Sequence, residues 1–341
     1  MDHILRIENL KVSFPTEDGL VHAVDSLNLD MSSGETVALV GESGSGKTVT
    51  SLSVMGLHNP RATQISGSIK IKDSAEVVDV VSGNANKVRL LRGRVVSMIF
   101  QDPMSSLHPF YKIGDQLAEG YLVHNPGKKK EAKSRAIELL DLVGIPDPHK
   151  RVNEFPHQFS GGMRQRVMIA MALMNSPKIL IADEPTTALD VTVQAQILTL
   201  LKELQKEFHM GILLITHDLG IVAQVADRVN VMYAGDIVES GSVDDIFYHP
   251  MAPYTVGLLH SIPKITFGEK KRLSSIEGQP PSLINLPSGC PFSPRCAYKA
   301  SAPAGLCDST MPDLIGQYPT HLSRCHIPEA NRQAIFGQVK K

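Results

Sequence analysis

The first 289 residues of this 341-residue chain contain no cysteine. No run of about 18 apolar residues occurs, so a membrane-spanning helix is not expected. Neither charge sign is in excess: Lys and Arg total 34, Asp and Glu 35, for a formal net charge of −1. A chain that gripped nucleic acid by general electrostatics would carry a basic surplus, so no nucleic-acid partner is expected. The start, MDHILRIENLKVSF, lacks the charged opening and apolar run of a signal peptide and alternates as a strand does. Internal repeats and low-complexity tracts are also missing. The expected setting is cytoplasmic, where thiols stay reduced. The four cysteines that do occur, Cys290, Cys296, Cys307 and Cys325, therefore need a reading other than disulfides.

What is present is an α/β texture, with enough apolar content (42%) and length for two domains. Apolar strand-like runs fall at Thr36–Val40, Arg94–Phe100, Lys178–Asp183 and Gly211–Asp218. RVNVMYAGDIVESG reads as two short strands about a glycine turn. Between Gln101 and Ser160 the pattern turns helical: Ala136, Ile137, Leu139, Leu140 and Val143 make one face. VQAQILTLLKELQKEF is a second amphipathic helix. After about Pro250 prolines become frequent and periodicity fades. These shifts set a boundary: residues 1–250 form one unit, with a helical segment over about 102–160, and 251–341 form an irregular C-terminal region.

The stretch GESGSGKT comprises Gly41, Glu42, Ser43, Gly44, Ser45, Gly46, Lys47 and Thr48. It fits G-x-x-x-x-G-K-[ST], follows a strand and opens a helix. Glycines let successive backbone N–H groups turn inward around phosphate oxygens, and the helix N-terminus adds its positive end. Lys47 is expected on the β- and γ-phosphates and Thr48 on Mg²⁺. A Gly/Ser turn alone could match by accident; the strand–loop–helix context argues otherwise. Such a site also needs a carboxylate that holds metal, and Asp183 supplies it at the end of ILIAD. Glu184 follows as the candidate general base for an attacking water. His217, which ends LLITH, is placed to touch the γ-phosphate or that water, although a lone histidine there is commonly just a satisfied polar group. Together these residues indicate a nucleoside triphosphatase that uses Mg²⁺.

FSGGMRQRVMIAMAL, Phe159 to Leu173, opens a long helix on a serine and two glycines, a second anion-binding N-terminus. One site has no need of two phosphate grips, so this one is read as serving a nucleotide on another subunit. In this set of motifs the chain resembles the ATP-binding subunits of ABC transporters, over roughly residues 3 to 330. The resemblance implies a P-loop NTPase core (RecA-like) with an antiparallel β subdomain and a helical signature subdomain. It implies that Ser160, Gly161, Gly162 and Met163 act in trans, and that Gln101 joins Mg²⁺ and the γ-phosphate to a membrane subunit. It also implies that Asp190 lies at the dimer interface, that His217 is a switch residue, and that Phe14 stacks on adenine. One departure is visible: the signature usually reads S-G-G-Q where this chain has Met163; the aromatic at the position of Phe14 is usually Tyr.

The tail carries HPMAPYTVGLLHSIP and IEGQPPSLINLPSGCPFSPRC, which resemble the end of dipeptide, oligopeptide and nickel importer ATPases. The implied role is to energise import of di- or oligopeptides, with nickel or another small solute as the alternative; a soluble, non-transport ABC ATPase would carry two motif sets or a coiled-coil insertion. Implied partners are a second ATPase subunit, in a heterodimer, two transmembrane permease subunits and, indirectly, a substrate-binding protein, with the chain peripheral on the cytoplasmic side of the cell membrane. The cysteine spacing fits neither a zinc ribbon nor a common ferredoxin. Four clustered thiols in a weakly periodic segment suggest a soft metal centre acting as a staple, and the family resemblance implies a [4Fe–4S] cluster on Cys290, Cys296, Cys307 and Cys325. Zinc, or buried thiols that pack as small apolar groups, are the open alternatives. The gap before Cys307 contains SAPAG, which reads as an insertion.

Overall fold

The computed structural model describes residues 3–74, 76–102, 106–187, 189–262, 276–318 and 320–337. Among these, twelve strands form two sheets: β1 (His3–Thr16), β2 (Gly19–Ser32), β3 (Thr36–Val40), β4 (Gln64–Asp73), β5 (Glu76–Asp79), β6 (Val96–Ile99), β7 (Ile179–Asp183), β8 (Gly211–Thr216), β9 (Arg228–Tyr233), β10 (Asp236–Ser242), β11 (Leu314–Tyr318) and β12 (His321–Arg324). The small sheet is antiparallel, in the order β2-β1-β4-β5. The large sheet runs β11-β12-β10-β9-β3-β8-β7-β6 and is parallel from β9 to β6.

Strand periodicity explains how the layers stack. On β3, Val37 and Leu39 face the small sheet's core with Leu5, Ile7 and Leu10, whereas Ala38 and Val40 face the opposite layer. On β7, Ile179 and Ile181 join the first core, and Leu180 and Ala182 pack beneath the helices. All five residues of each strand are buried, as expected when a parallel strand is covered on both faces. The helical segment contains Ile113–Leu122, Lys129–Leu142 and the turn Pro148–Arg151, leading into the helix Gly161–Leu173. Ala136, Leu139, Leu140 and Val143 lie in its core, while Ile137 is only partly buried.

The α/β core, the antiparallel subdomain and the helical segment match the expectation from sequence. The predicted glycine turn between β9 and β10 is a two-residue hairpin in which Ala234 (φ 49°) and Gly235 (φ 90°) both adopt positive φ, the backbone that suits a right-twisted ribbon. The C-terminal region is less irregular than its composition suggested. β12 pairs with β10 and β11 pairs with β12, so residues beyond 250 extend the main sheet. Their strands are too short to give a legible period.

Candidate functional site

Parallel strands direct their C-terminal ends to one side, and loops leaving those ends meet at the point where strand order reverses. Here β3 lies between β8 and β9. The loop after β3 is Gly41–Gly46, and it opens the helix Lys47–Val54. It is wedged between two strands. A Cβ on Gly41 (φ 154°) would sit 2.1 Å from the Met232 carbonyl oxygen, and one on Gly46 (φ 107°) would sit 2.3 Å from that of Ala23. Only glycine allows so close an approach of backbones.

The Lys47 ammonium is buried and donates to the carbonyl oxygens of Gly41 (2.8 Å) and Glu42 (2.7 Å) and to Ser45 Oγ (3.3 Å). Burial pushes its pKa down, against the upward pull of Glu184, Asp183 and Glu42. Asp183, at the end of β7, is 2% exposed. Burial raises its pKa and the charge of Glu184 adds to this, while Thr48, Lys47 and Ser51 oppose it. Ser51 Oγ donates to Asp183 Oδ2 at 3.5 Å, but Oδ1 is buried with no hydrogen-bond partner among the described residues.

Glu184 is the meeting point of the site. Its backbone is left-handed (φ 48°), a strained conformation for a non-glycine residue, and its N–H donates to the Ile215 carbonyl of β8 at 2.8 Å. Gln101 Nε2, just beyond β6, donates to Glu184 Oε2 at 2.9 Å, as does Thr187 Oγ1 at 2.8 Å. His217 Nδ1, just beyond β8, lies 2.9 Å from Oε1. Burial pushes the Glu184 carboxyl up, yet the hydrogen bonds of His217 and Thr187, with the charges of His217 and Lys47, hold it below the ordinary glutamate value. It is thus ionised at neutral pH, the form that accepts a proton. Three sequence-selected residues from three strand ends, Gln101, Glu184 and His217, therefore gather with Lys47 and Asp183. Thr48 is exposed at the start of the helix Lys47–Val54. Ser43 and Gly44 form the exposed crest of the loop. Phe14 packs edge-on against His58, which hydrogen-bonds to Ser53 and Val49 of the same helix.

Other predicted residues stand apart from this cluster. Ser160 caps the helix Gly161–Leu173 by accepting from the Met163 N–H at 3.3 Å. Ser160 and Gly161 are exposed; Gly162 and Met163 are half-buried. Asp190 caps the helix Val191–Phe208 through the Val193 N–H at 2.9 Å. Sequence reasoning missed Thr187, whose hydroxyl is hidden in the common pair TT. It also missed Gln165, which donates to the Pro185 carbonyl at 2.6 Å and so ties the serine-capped helix to the segment after Glu184.

The four cysteines are free thiols of intermediate exposure, and all of them line one largely apolar cavity with Tyr233, Phe292 and Ile327. Cys307, despite the long gap before it, joins the others: its carbonyl accepts from the Cys290 N–H at 2.9 Å. Burial pushes Cys290 and Cys296 up to about 11 and raises Cys307 and Cys325. Burial thus favours the protonated thiol. Among the described residues, no group of three or more His, Cys, Asp or Glu is arranged to hold a metal ion. The cavity, of about 30 Å³, has room for little more than a water.

Residues 24–187 match the ABC transporter family, and residues 238–302 match the C-terminal region of oligopeptide/dipeptide transporters. The chain is 48% identical to the dipeptide transport ATP-binding protein DppD of Bacillus subtilis over the whole of both chains. It is 51% identical to the oligopeptide transport ATP-binding protein OppD of Haemophilus influenzae, over 87% of this chain and 90% of that one. Among solved structures, a dimeric ATP-binding cassette in a post-hydrolysis state with ADP and Pi aligns at a TM-score of 0.61. That alignment has 26% identity and covers 70% of this chain and 98% of the other.

Proposed function

The chain belongs to the dipeptide and oligopeptide transport ATP-binding proteins of the ABC transporter family, and from that membership we propose that it energises import of di- or oligopeptides through the site around Glu184. It is an ABC-type ATPase. Its relatives' names support peptide cargo over nickel or another solute. Among the described residues no helix is long and apolar enough to cross a membrane, so the transmembrane path belongs to partners. We assign these as two permease subunits, a second and different ATPase subunit and an indirect substrate-binding protein, with this chain on the cytoplasmic face. Residues 1–250 are the nucleotide-binding unit and 251–341 the C-terminal unit.

The observation that carries the mechanism is the convergence on Glu184. Gly41–Thr48 would cradle the phosphates and Phe14 the adenine. The orphaned Asp183 Oδ1, with the Thr48 hydroxyl and Gln101 nearby, is a hard oxygen donor set that fits Mg²⁺. When bound, that ion would neutralise phosphate charge. Glu184, held ionised, takes the proton of the attacking water. His217 and Gln101 orient the Glu184 carboxylate and sense the γ-phosphate. Ser160–Met163 of one subunit would close on the nucleotide of the other, with Asp190 at the seam, so that ATP favours the closed pair by contacting both halves. For the cysteines we propose a thiolate metal centre, [4Fe–4S] or else zinc. Convergence of Cys290, Cys296, Cys307 and Cys325 on one cavity supports it. Glu184→Gln should bind ATP normally and hydrolyse it at least about a hundredfold more slowly, the scale of a lost general base; near-normal turnover in that variant would refute the assignment.

A further inference from the structure

The second residue of the phosphate loop is held from far along the chain. Arg295, next to Cys296, lies with its side chain only 5% exposed and makes a bidentate pair with Glu42: Nη1 to Oε2 at 2.6 Å and Nη2 to Oε1 at 3.0 Å. Its remaining donors are occupied. Nε donates to the Glu277 carbonyl at 3.0 Å, Nη2 also reaches the Ile276 carbonyl at 3.4 Å, and Nη1 reaches the Tyr233 hydroxyl at 3.3 Å. The guanidinium carbon stands 5.8 Å from the Tyr233 ring centroid and 6.0 Å from that of Phe292. A planar fork held this way has one orientation, so it fixes its carboxylate partner in place.

Glu42 is gripped at its backbone as well. Its N–H donates to the Tyr254 hydroxyl at 2.9 Å, and Tyr254 belongs to the helix Pro253–His260. On its other side, the Glu42 carbonyl accepts from Lys47. Glu42 thus joins the C-terminal unit to the lysine expected on the phosphates. A second tie reaches the other end of the site. The His22 N–H donates to the Leu283 carbonyl at 2.9 Å, in the hairpin where Phe14 pairs with Val21.

We propose that Arg295 is a positioning residue for the phosphate loop, through which the C-terminal unit sets the affinity for ATP. The proposal rests on the ATPase reading and adds a residue outside its motifs. Glu184 and its partners do not touch Arg295, so the effect belongs in binding and not in the chemical step. A mere staple between two units would lower stability and leave affinity alone.

The test uses the full-length protein, a fluorescent ATP analogue and steady-state ATPase kinetics, with thermal unfolding as the control for fold. Arg295→Met should weaken nucleotide binding by about three- to thirtyfold, the range of residues that modulate coupling between sites. KM for ATP should rise by the same factor, with kcat at saturating ATP within about twofold of wild type. Arg295→Lys should recover only part of the loss, because an ammonium cannot fork across a carboxylate. The double variant Arg295→Met with Glu42→Gln should bind no more weakly than the worse single variant, since both act along one path. Affinity within about twofold of wild type in Arg295→Met, with a lowered unfolding midpoint, would make Arg295 a staple and overturn the proposal. So would losses that simply add. If Arg295→Met does not fold, Glu42→Gln decides: weakened binding supports the proposal and unchanged binding overturns it. If the wild-type protein binds no tighter than Lys47→Ala, the ATPase reading itself fails and takes this proposal with it.

Discussion

Asp236 on β10 is 6% exposed, and burial, helped by the charge of Asp25, pushes its carboxyl up to about 7, with Arg324 and Lys11 pulling the other way. Unfolded, the same group ionises near 3.8. Its ionisation therefore burdens the folded state increasingly from about pH 4 to about pH 7, and fully above that. Asp236→Asn removes that burden along with part of the Arg324 contact. The contact loss weighs on both ends of the pH range, so the comparison isolates the titration. The variant's unfolding midpoint, relative to wild type, should be higher at pH 8 than at pH 4; a difference independent of pH would mean that Asp236 is ionised at little cost. Neither Asp236 nor Arg295 was legible in the sequence. Asp236 follows a glycine turn, where an acid is ordinary, and Arg295 meets Glu42 across 253 residues. Lys47, Asp183 and Glu184 could be singled out because each sits on a loop or strand end whose motif is local in the chain.

At the scale of elements, what could be read depended on how local the signal was. β3 has the bounds expected from its apolar run, and β7 and β8 lie within theirs. Each is a short buried run with a chemical marker at its end. The helices Gly161–Leu173 and Val191–Phe208 begin at Ser160 and Asp190, whose side chains cap them; those residues were selected for roles in a partner contact, and capping alone also explains their presence. The pairing of β12 with β10 was not legible, because Glu239↔Ser323 and Ser240↔Leu322 are long-range matches between short strands. The cysteine-lined element is where the sequence suggested more than the structure holds. If the proposed metal centre is iron–sulfur, protein purified without oxygen contains iron and acid-labile sulfide, about four of each per chain for a [4Fe–4S] centre. One zinc without sulfide would establish the other metal, and absence of both would leave the thiols as the apolar packing groups described above.

For the whole molecule, the balance of surface features predicts where it sits. Phe110 and Tyr111, between β6 and the helix Ile113–Leu122, are 82% and 58% exposed. They belong to the helical segment that follows Gln101, the residue expected to join the site to a membrane subunit. The protein should sediment with membranes when its permease partners are co-expressed and stay in the supernatant without them. Membrane association in their absence would require a different anchor. The order of motifs along the chain carries this expectation, whereas the hold of the C-terminal unit on the loop is a contact between residues 253 apart, which no local pattern marks.

The position of β3 also dictates when the protein can become competent. Its neighbours on both sides come late in the chain: Thr36 pairs with Ile212, and Val37 with both Leu213 and Arg228. During synthesis the strand that launches the phosphate loop must wait, half-assembled and largely apolar, until β8 and β9 have left the ribosome. Contacts this distant in sequence form slowly, and waiting strands of this kind are prone to mispairing. A competent phosphate loop is therefore a late product of folding, available only once residues 211–233 have joined the sheet.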